Sequence, residues 1–195
     1  MTIVVLASQS PARLQTLRSA GIDPLVIVSG VDESQLAGLP PGELALELAK
    51  LKAAAVAPQA PADAVVIACD SVLDLDGEAL GKPEDAHDAI QRWRRMRGRS
   101  GVLVTGHAVV RGDEWVTQTA ATRVHFADVS DEEIHAYVAT GEPLHVAGAF
   151  TVDSLGGAFV TAIEGDYHNV VGISLPLLRD MLLRLGIRWT DLWAD

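Results

Sequence analysis

The chain has 195 residues, 49% of them apolar, which is ample for a real core and excludes wholesale disorder. Its 15 basic and 26 acidic side chains leave a net charge of −11, a surface that repels nucleic-acid backbones and excludes a general DNA or RNA binder. No apolar run is long enough to span a bilayer, and the single cysteine, Cys69, excludes an internal disulfide and fits a reducing cytosol.

The start, MTIVVLASQS, lacks a basic flank and runs straight into a helix pattern, so it does not read as a signal peptide. An apolar strand over residues 3–7 leads into Ser8-Gln9-Ser10-Pro11 and then Arg13. Ser10 suits an N-cap and Pro11 the first helical position, so a helix is expected to about Ala20, closed by Gly21. The start of such a helix offers unpaired N–H groups and a positive dipole end. With the hydroxyls of Ser8 and Ser10 and the guanidinium of Arg13 it would form a pocket for an anion. The local alternative is a plain cap with a solvated arginine.

A second strand is expected over residues 24–28, then the acidic turn Val31-Asp32-Glu33-Ser34. Pro40-Pro41-Gly42 opens a helix over about 43–57 with Leu44, Leu48, Leu51 and Ala55 along one face and Lys52 away from it. Residues 64–69 read as a strand buried on both faces and ending at Asp70, followed by a hairpin over 71–80 that turns at Asp76-Gly77. Gly81-Lys82-Pro83 precedes a helix over 84–97, and strands over 101–111 and 114–127 flank Gly112. Ser130 and Glu133 form a capping box for a helix that ends at Gly141. A glycine-rich stretch over 147–157, a strand over 158–163, a loop over 164–169 and a last helix over 174–185 complete the order. The mixture predicts an α/β fold with a mixed twisted sheet and flanking helices.

Ser8, Glu33, Asp70 and Lys82 fall just past strands or in tight turns, where α/β proteins place ligand-binding side chains. Two carboxylates, Glu33 and Asp70, suit a hard cation such as Mg²⁺. Arg13, Lys52 and Lys82 suit the neutralisation of phosphates. Together they outline metal-assisted phosphoanhydride chemistry. Each also has a plainer reading: Asp70 as a strand end, Glu33 as a surface acid, Lys52 as a snorkelling lysine, Lys82 as a loop residue. The six histidines show no metal-ligand spacing, and Asp74 and Asp76 build a turn rather than a calcium loop. Trp189 and Trp193 anchor the tail or sit in a dimer contact.

LASQSPARLQTLRSAGI, VDES, LAKLKAAAV, ACDSVLDLDGEALGKP, GEPLHVAGAF and GDYHNVVGISLPLL occur in the order seen in the Maf family, and the chain resembles that family from Leu6 to about Gly186. The resemblance implies one bilobed ITPase-like domain over residues 1–195, with a central cleft. It implies a cytoplasmic nucleoside triphosphate pyrophosphatase that releases a nucleoside monophosphate and pyrophosphate and needs a divalent cation, Mg²⁺ or Mn²⁺. It also implies removal of non-ordinary nucleotides, a link to septum formation and division arrest, and a homodimer, with no nucleic-acid or membrane partner. By the same resemblance Asp70 accepts the proton of the attacking water, and Glu33 holds the metal with it. Ser8, Ser10 and Arg13 bind phosphate, and Lys52 and Lys82 face the triphosphate. The chain departs from the common pattern at Ala12, where an arginine usually precedes Arg13. It also departs at His145, Val146 and Asp153, where the branch acting on dTTP and UTP has Asp, Lys and Gln; PLHVAGAF looks more like the branch acting on a methylated GTP. Two other readings stand beside this one: a nucleotide-binding division regulator with little turnover, and a phosphatase releasing inorganic phosphate.

Overall fold

The computed structural model describes residues 2–36 and 38–193. Runs of β-branched residues form the strands, and the longest of them build the centre of one sheet. The strands are β1 (Val4–Leu6), β2 (Leu25–Val26), β3 (Val65–Leu75), β4 (Glu78–Leu80), β5 (Ser100–Arg111), β6 (Glu114–Phe126) and β7 (Val160–Glu164). The helices are α1 (Pro11–Ser19), α2 (Pro41–Val56), α3 (Ala86–Met96), α4 (Asp131–Ala139), α5 (Tyr167–Val171) and α6 (Leu175–Arg184). The sheet order is β2-β1-β3-β5-β6-β7, with β4 also on β3. β1 pairs in parallel with β2 and β3, and every other ladder is antiparallel. The expected mixed sheet with flanking helices is therefore what forms.

β3 organises the molecule. β5 covers one of its edges from Val65 to Asp74. Its other edge is shared: β1 covers Val65 to Ile67, and β4 covers Leu73 to Leu75. Among the described residues no strand pairs with residues 68–72 on that edge. Alternation along β3 sends Val66, Ala68, Asp70 and Val72 toward α2, and Val65, Ile67, Cys69 and Ser71 toward α1 and α6.

The apolar residues sort along the same line. At one end of β3, Leu17, Leu178, Met181 and Leu182 pack on Val65 and Ile67, while the alanines of α2 pack on Val66 and Ala68. Beyond Asp70, Leu73, Leu75 and Leu103 join α3, α4 and Phe126 around Trp93. Trp93 is fully buried, and its ring meets Phe126, Tyr137 and Phe159 edge-to-face at 5.6–5.8 Å. Such pairs contribute roughly 0.5–1.5 kcal/mol each beyond their buried area. The indole N–H donates to Ala149 O at 2.7 Å, as a buried donor requires.

Three expectations change. The strand expected to stop at Cys69 continues through Asp70 to Leu75, because β5 offers an unbroken partner across the polar pair. Helix α2 buries Ala45, Leu48, Ala49, Ala53 and Val56; of the expected stripe Leu48 is buried, while Leu44, Leu51 and Ala55 are only partly covered. Gly106 of β5 lets the helix backbone settle onto the strand: a Cβ there would stand 2.2 Å from Ala45 O. At that distance the contact with the sheet is made largely by alanines, Ala45, Ala49 and Ala53. The loop expected over 164–169 instead starts α5, with Asp166 as its N-cap accepting from His168 N.

Candidate active site

Two strands aim into the open edge of β3. β1 runs parallel to β3 and ends beside Ile67, so Ser8 leaves it at one side of the gap. β4 runs antiparallel and ends with Leu80 opposite Leu73, so Gly81 and Lys82 leave it at the other side. Asp70 stands at the middle of the uncovered stretch.

Asp70 is 8% exposed. The Lys52 ammonium bonds its Oδ1 and reaches Glu33 Oε1 at 2.7 Å, so one cation joins both expected carboxylates. Lys52 sits on the inner side of α2, its side chain 13% exposed, and side chains on a helix lean toward its N-terminus. Burial pushes the Asp70 carboxyl above the usual carboxylate range, and the charges of Lys52 and Arg13 only partly oppose this. A carboxylate held this way is a better proton acceptor than an exposed one.

On the other face the start of α1 takes the expected form. Ser10 caps it, accepting from Arg13 N at 3.4 Å, and Pro11 opens it. Ser8 Oγ accepts from Ser10 N at 3.1 Å and from Arg13 Nη1 at 3.3 Å. A hydroxyl that accepts twice keeps its own proton to donate. Arg13 is a fork across the fold rather than a free cation: Nε donates to Gly172 O at 2.7 Å and Nη2 to Ser71 Oγ at 3.0 Å. Two of its five N–H groups remain for a ligand.

The structure thus joins Ser8, Ser10 and Arg13 in one group and Glu33, Lys52 and Asp70 in another, on the two faces of β3. Lys82 touches neither group. It is exposed, and among the described residues its ammonium has no ion-pair partner. The groups meet at the dipeptide Asp70-Ser71, whose two side chains point opposite ways.

Several residues of this network had no role in the sequence. Ser71 Oγ lies 2.8 Å from Thr105 Oγ1, and Thr105 donates to Asn169 O at 3.3 Å. Asn169, fully buried, donates to Leu103 O, Ala120 O and Thr122 Oγ1 and so fixes α5 against β5 and β6. His107 is also fully buried; its Nε2 accepts from Ser174 N at 2.9 Å while Nδ1 donates to Thr105 O. Burial pulls its pKa down to about 4, with the Arg13 charge adding to that. Cys69 has its thiol pushed up to about 12 by burial, which removes it as a nucleophile. Glu142 accepts from Tyr137, Thr151, Ser154 and the backbone N–H groups of Leu155 and Gly156. These donors outweigh its burial and hold its carboxyl down at about 2. The loop it gathers carries Asp153 to the wall of a cavity of about 340 Å³, with Ala12, Gln15, Tyr167 and His168 around it. This cavity runs along α1 from Ala12 to Ala20.

Fold and site together define an α/β protein that sets a capped helix start and an arginine beside a buried carboxylate. The sequence model of one family, described as Maf-like protein, matches residues 3–185, and the chain belongs to that family. A protein of Streptomyces avermitilis, named nucleoside triphosphate pyrophosphatase, is 57% identical over 194 residues, covering 98% of this chain and 94% of its own length. One of Salinispora tropica with the same name is 58% identical over 197 residues, covering 98% and 87%. Among solved structures, the Staphylococcus aureus Ham1 protein overlaps 65% of this chain and 73% of its own, at 21% identity and a TM-score of 0.46.

Proposed function

We propose that the protein is a nucleoside triphosphate pyrophosphatase, cleaving the α–β phosphoanhydride to a nucleoside monophosphate and pyrophosphate. The observation that carries this reading is the gap in β3: β1 delivers a helix N-terminus with a donating Ser8, β4 delivers Lys82, and the buried Asp70 lies between them. The names of the relatives in Streptomyces and Salinispora support it.

In this reading Asp70 takes the proton of the attacking water. Ser8, the N–H groups at the start of α1 and the two spare N–H groups of Arg13 hold phosphate oxygens. Lys52 and Lys82 offset the charge that grows on the leaving pyrophosphate. The cavity along α1 takes the nucleoside.

The donor set fits a divalent cation, Mg²⁺ or Mn²⁺. Glu33 and Asp70 already share one positive charge at Lys52 Nζ. Among the described residues no three or more His, Cys, Asp or Glu side chains are grouped to hold a metal, so phosphate oxygens would complete the shell. When bound, such an ion supplies Lewis-acid stabilisation of phosphate charge.

Among the described residues no helix is long and apolar enough to cross a membrane. We propose the cytoplasm as the place of action, a reading that the buried free thiol of Cys69 supports. We also propose a homodimer, which sedimentation of the purified protein tests.

The decisive experiment is product analysis with a panel of purine and pyrimidine nucleoside triphosphates and Mg²⁺ or Mn²⁺. Equal amounts of monophosphate and pyrophosphate are expected. Inorganic phosphate with a diphosphate product would make the protein a different phosphohydrolase, and binding without turnover would make it a nucleotide-responsive regulator.

A further inference from the structure

Five arginines fall between residues 92 and 99 of this acidic chain. Four of them make ion pairs with Asp131, Glu78 or Asp76, joining α3 to α4 and to the β3–β4 turn. Arg92 differs. Its Nη1 donates to Gly81 O at 2.7 Å and its Nη2 to Lys82 O at 3.4 Å. The same Nη2 lies 2.7 Å from Asp88 Oδ2, one helical turn back. That Asp88 oxygen also accepts from Glu84 N at 3.0 Å. The Asp88–Arg92 pair therefore grips the backbone on both sides of Lys82-Pro83. Gly148 N adds a third bond, to Gly81 O at 3.0 Å, and Pro83 is buried. The loop is pinned while the Lys82 side chain stays exposed, with no ion-pair partner among the described residues.

We infer that the Asp88–Arg92 pair is a clamp that sets where the Lys82 ammonium stands relative to Asp70, which makes Arg92 a positioning residue for turnover. The proposal rests on the pyrophosphatase reading and on Lys82 facing the triphosphate. Arg92 itself is bonded to backbone and to Asp88, not to the gap, so its action runs through Lys82. A lysine acts as a point charge on a flexible stem, so the position of its Cα decides where the charge is held. Two carbonyls bound by one planar guanidinium fix that position in a way that a single ammonium cannot.

A double-mutant cycle tests this with pyrophosphate release as the readout. Arg92→Met keeps length and removes the fork. Misplacement of a catalytic group by about 1 Å can cost on the order of 100-fold; a partly freed loop is expected to lower kcat/KM ~10-fold, chiefly through kcat. Arg92→Lys, which keeps the charge but not the fork, should recover only part of the loss. In a Lys82→Ala background Arg92→Met should change the rate less than about twofold, because the partner through which it acts is gone. Equal losses in both backgrounds would overturn the clamp and leave the role of Lys82 standing. Turnover at the parent rate by Lys82→Ala would overturn the role of Lys82, and the clamp with it. If Arg92→Met does not fold, Asp88→Ala in the same cycle gives the same discrimination, because it releases Glu84 N and the charge that aligns Arg92.

Discussion

Asp70 lies directly opposite Gly106 in the β3–β5 ladder, and Gly106 has no side chain because the carbonyl of Ala45 occupies its place. The glycine brings α2 down onto the sheet at the level of the carboxylate. From there Lys52, two turns further along α2, leans back to Asp70. Gly106→Ala forces a methyl group to 2.2 Å from that carbonyl, and to within 2.6 Å of Leu46 Cα. Backbone cannot yield as a flexible side chain does, so a loss of about 2–4 kcal/mol is expected. Denaturant unfolding measures it. Activity should fall with it even under conditions where the variant is folded, because α2 carries Lys52. A variant with parent stability and parent turnover would mean that α2 moves freely over β5.

Asp70→Asn separates chemistry from folding. Loss of a general base removes ~100- to 10,000-fold of the rate. Stability should move the other way. The native state keeps the Asp70 proton to higher pH than the unfolded chain does, so this group favours folding at low pH. That contribution is lost as pH rises through the native pKa. At high pH, where keeping the buried carboxylate ionised weighs against the fold, Asp70→Asn should unfold at a higher temperature than the parent. The difference should shrink as pH falls toward the ordinary carboxylate range. A variant less stable than the parent at high pH would show that the Lys52 pair more than offsets burial.

Local features of the site were legible because they are written in consecutive residues. Ser10-Pro11 caps α1, Gly21 takes its left-handed place at φ +84°, and Ser130 and Glu133 close their box. What the sequence hid was carried by distant pairings. Asp70 looked like a strand end because its neighbours turn polar, but the strand continues on the strength of β5, some 36 residues on. The inner face of α2 was assigned to leucines because hydrophobicity set the pattern. Space decided otherwise, and that space is set by Gly106 on another element. The Arg13 fork reaches Gly172, 159 residues away, and nothing near Arg13 announces it. The arginine run over 92–99 showed its charge but not its partners, which lie on α3 itself, on α4 and around the β3–β4 turn.

Acid should weaken the fold in two separable windows. His107 is held neutral in the native state with a pKa of about 4, against 6.5 when exposed. The unfolded chain therefore takes up a proton that the native state refuses, and stability falls as pH drops from about 6.5 to about 4, by ~3 kcal/mol for this group. The protonated native state of Asp70 opposes part of this loss at the lower end. His107→Gln, which can still accept from Ser174 N, should flatten the upper window in unfolding titrations. Glu142 acts lower. Its stabilisation is complete above 4.5 and is lost as pH falls toward about 2. Hydrogen exchange at Leu155 and Gly156, whose N–H groups it accepts, should quicken in that lower window and not in the upper one.

Arg13→Lys tests the anion side without touching Asp70. Lysine keeps the charge but has one nitrogen in place of the Nε, Nη1 and Nη2 that reach Gly172 O, Ser8 Oγ and Ser71 Oγ. The Ser8 hydroxyl then loses its fixed direction, and ground-state grip on the triphosphate should weaken. Charge-assisted hydrogen bonds are worth roughly 1.5–3 kcal/mol, so KM should rise ~10- to 100-fold with a smaller change in kcat. Ser71→Ala, which leaves Arg13 Nη2 without its acceptor on β3, should shift the same parameter by less. Ser8→Ala, which removes the donor outright, should act on KM as Arg13→Lys does, because both remove contacts to the bound phosphates. Were all three to lower kcat and leave KM unchanged, Ser8 and Arg13 would belong to the transition state alone. The start of α1 would then serve the leaving group rather than the bound nucleotide.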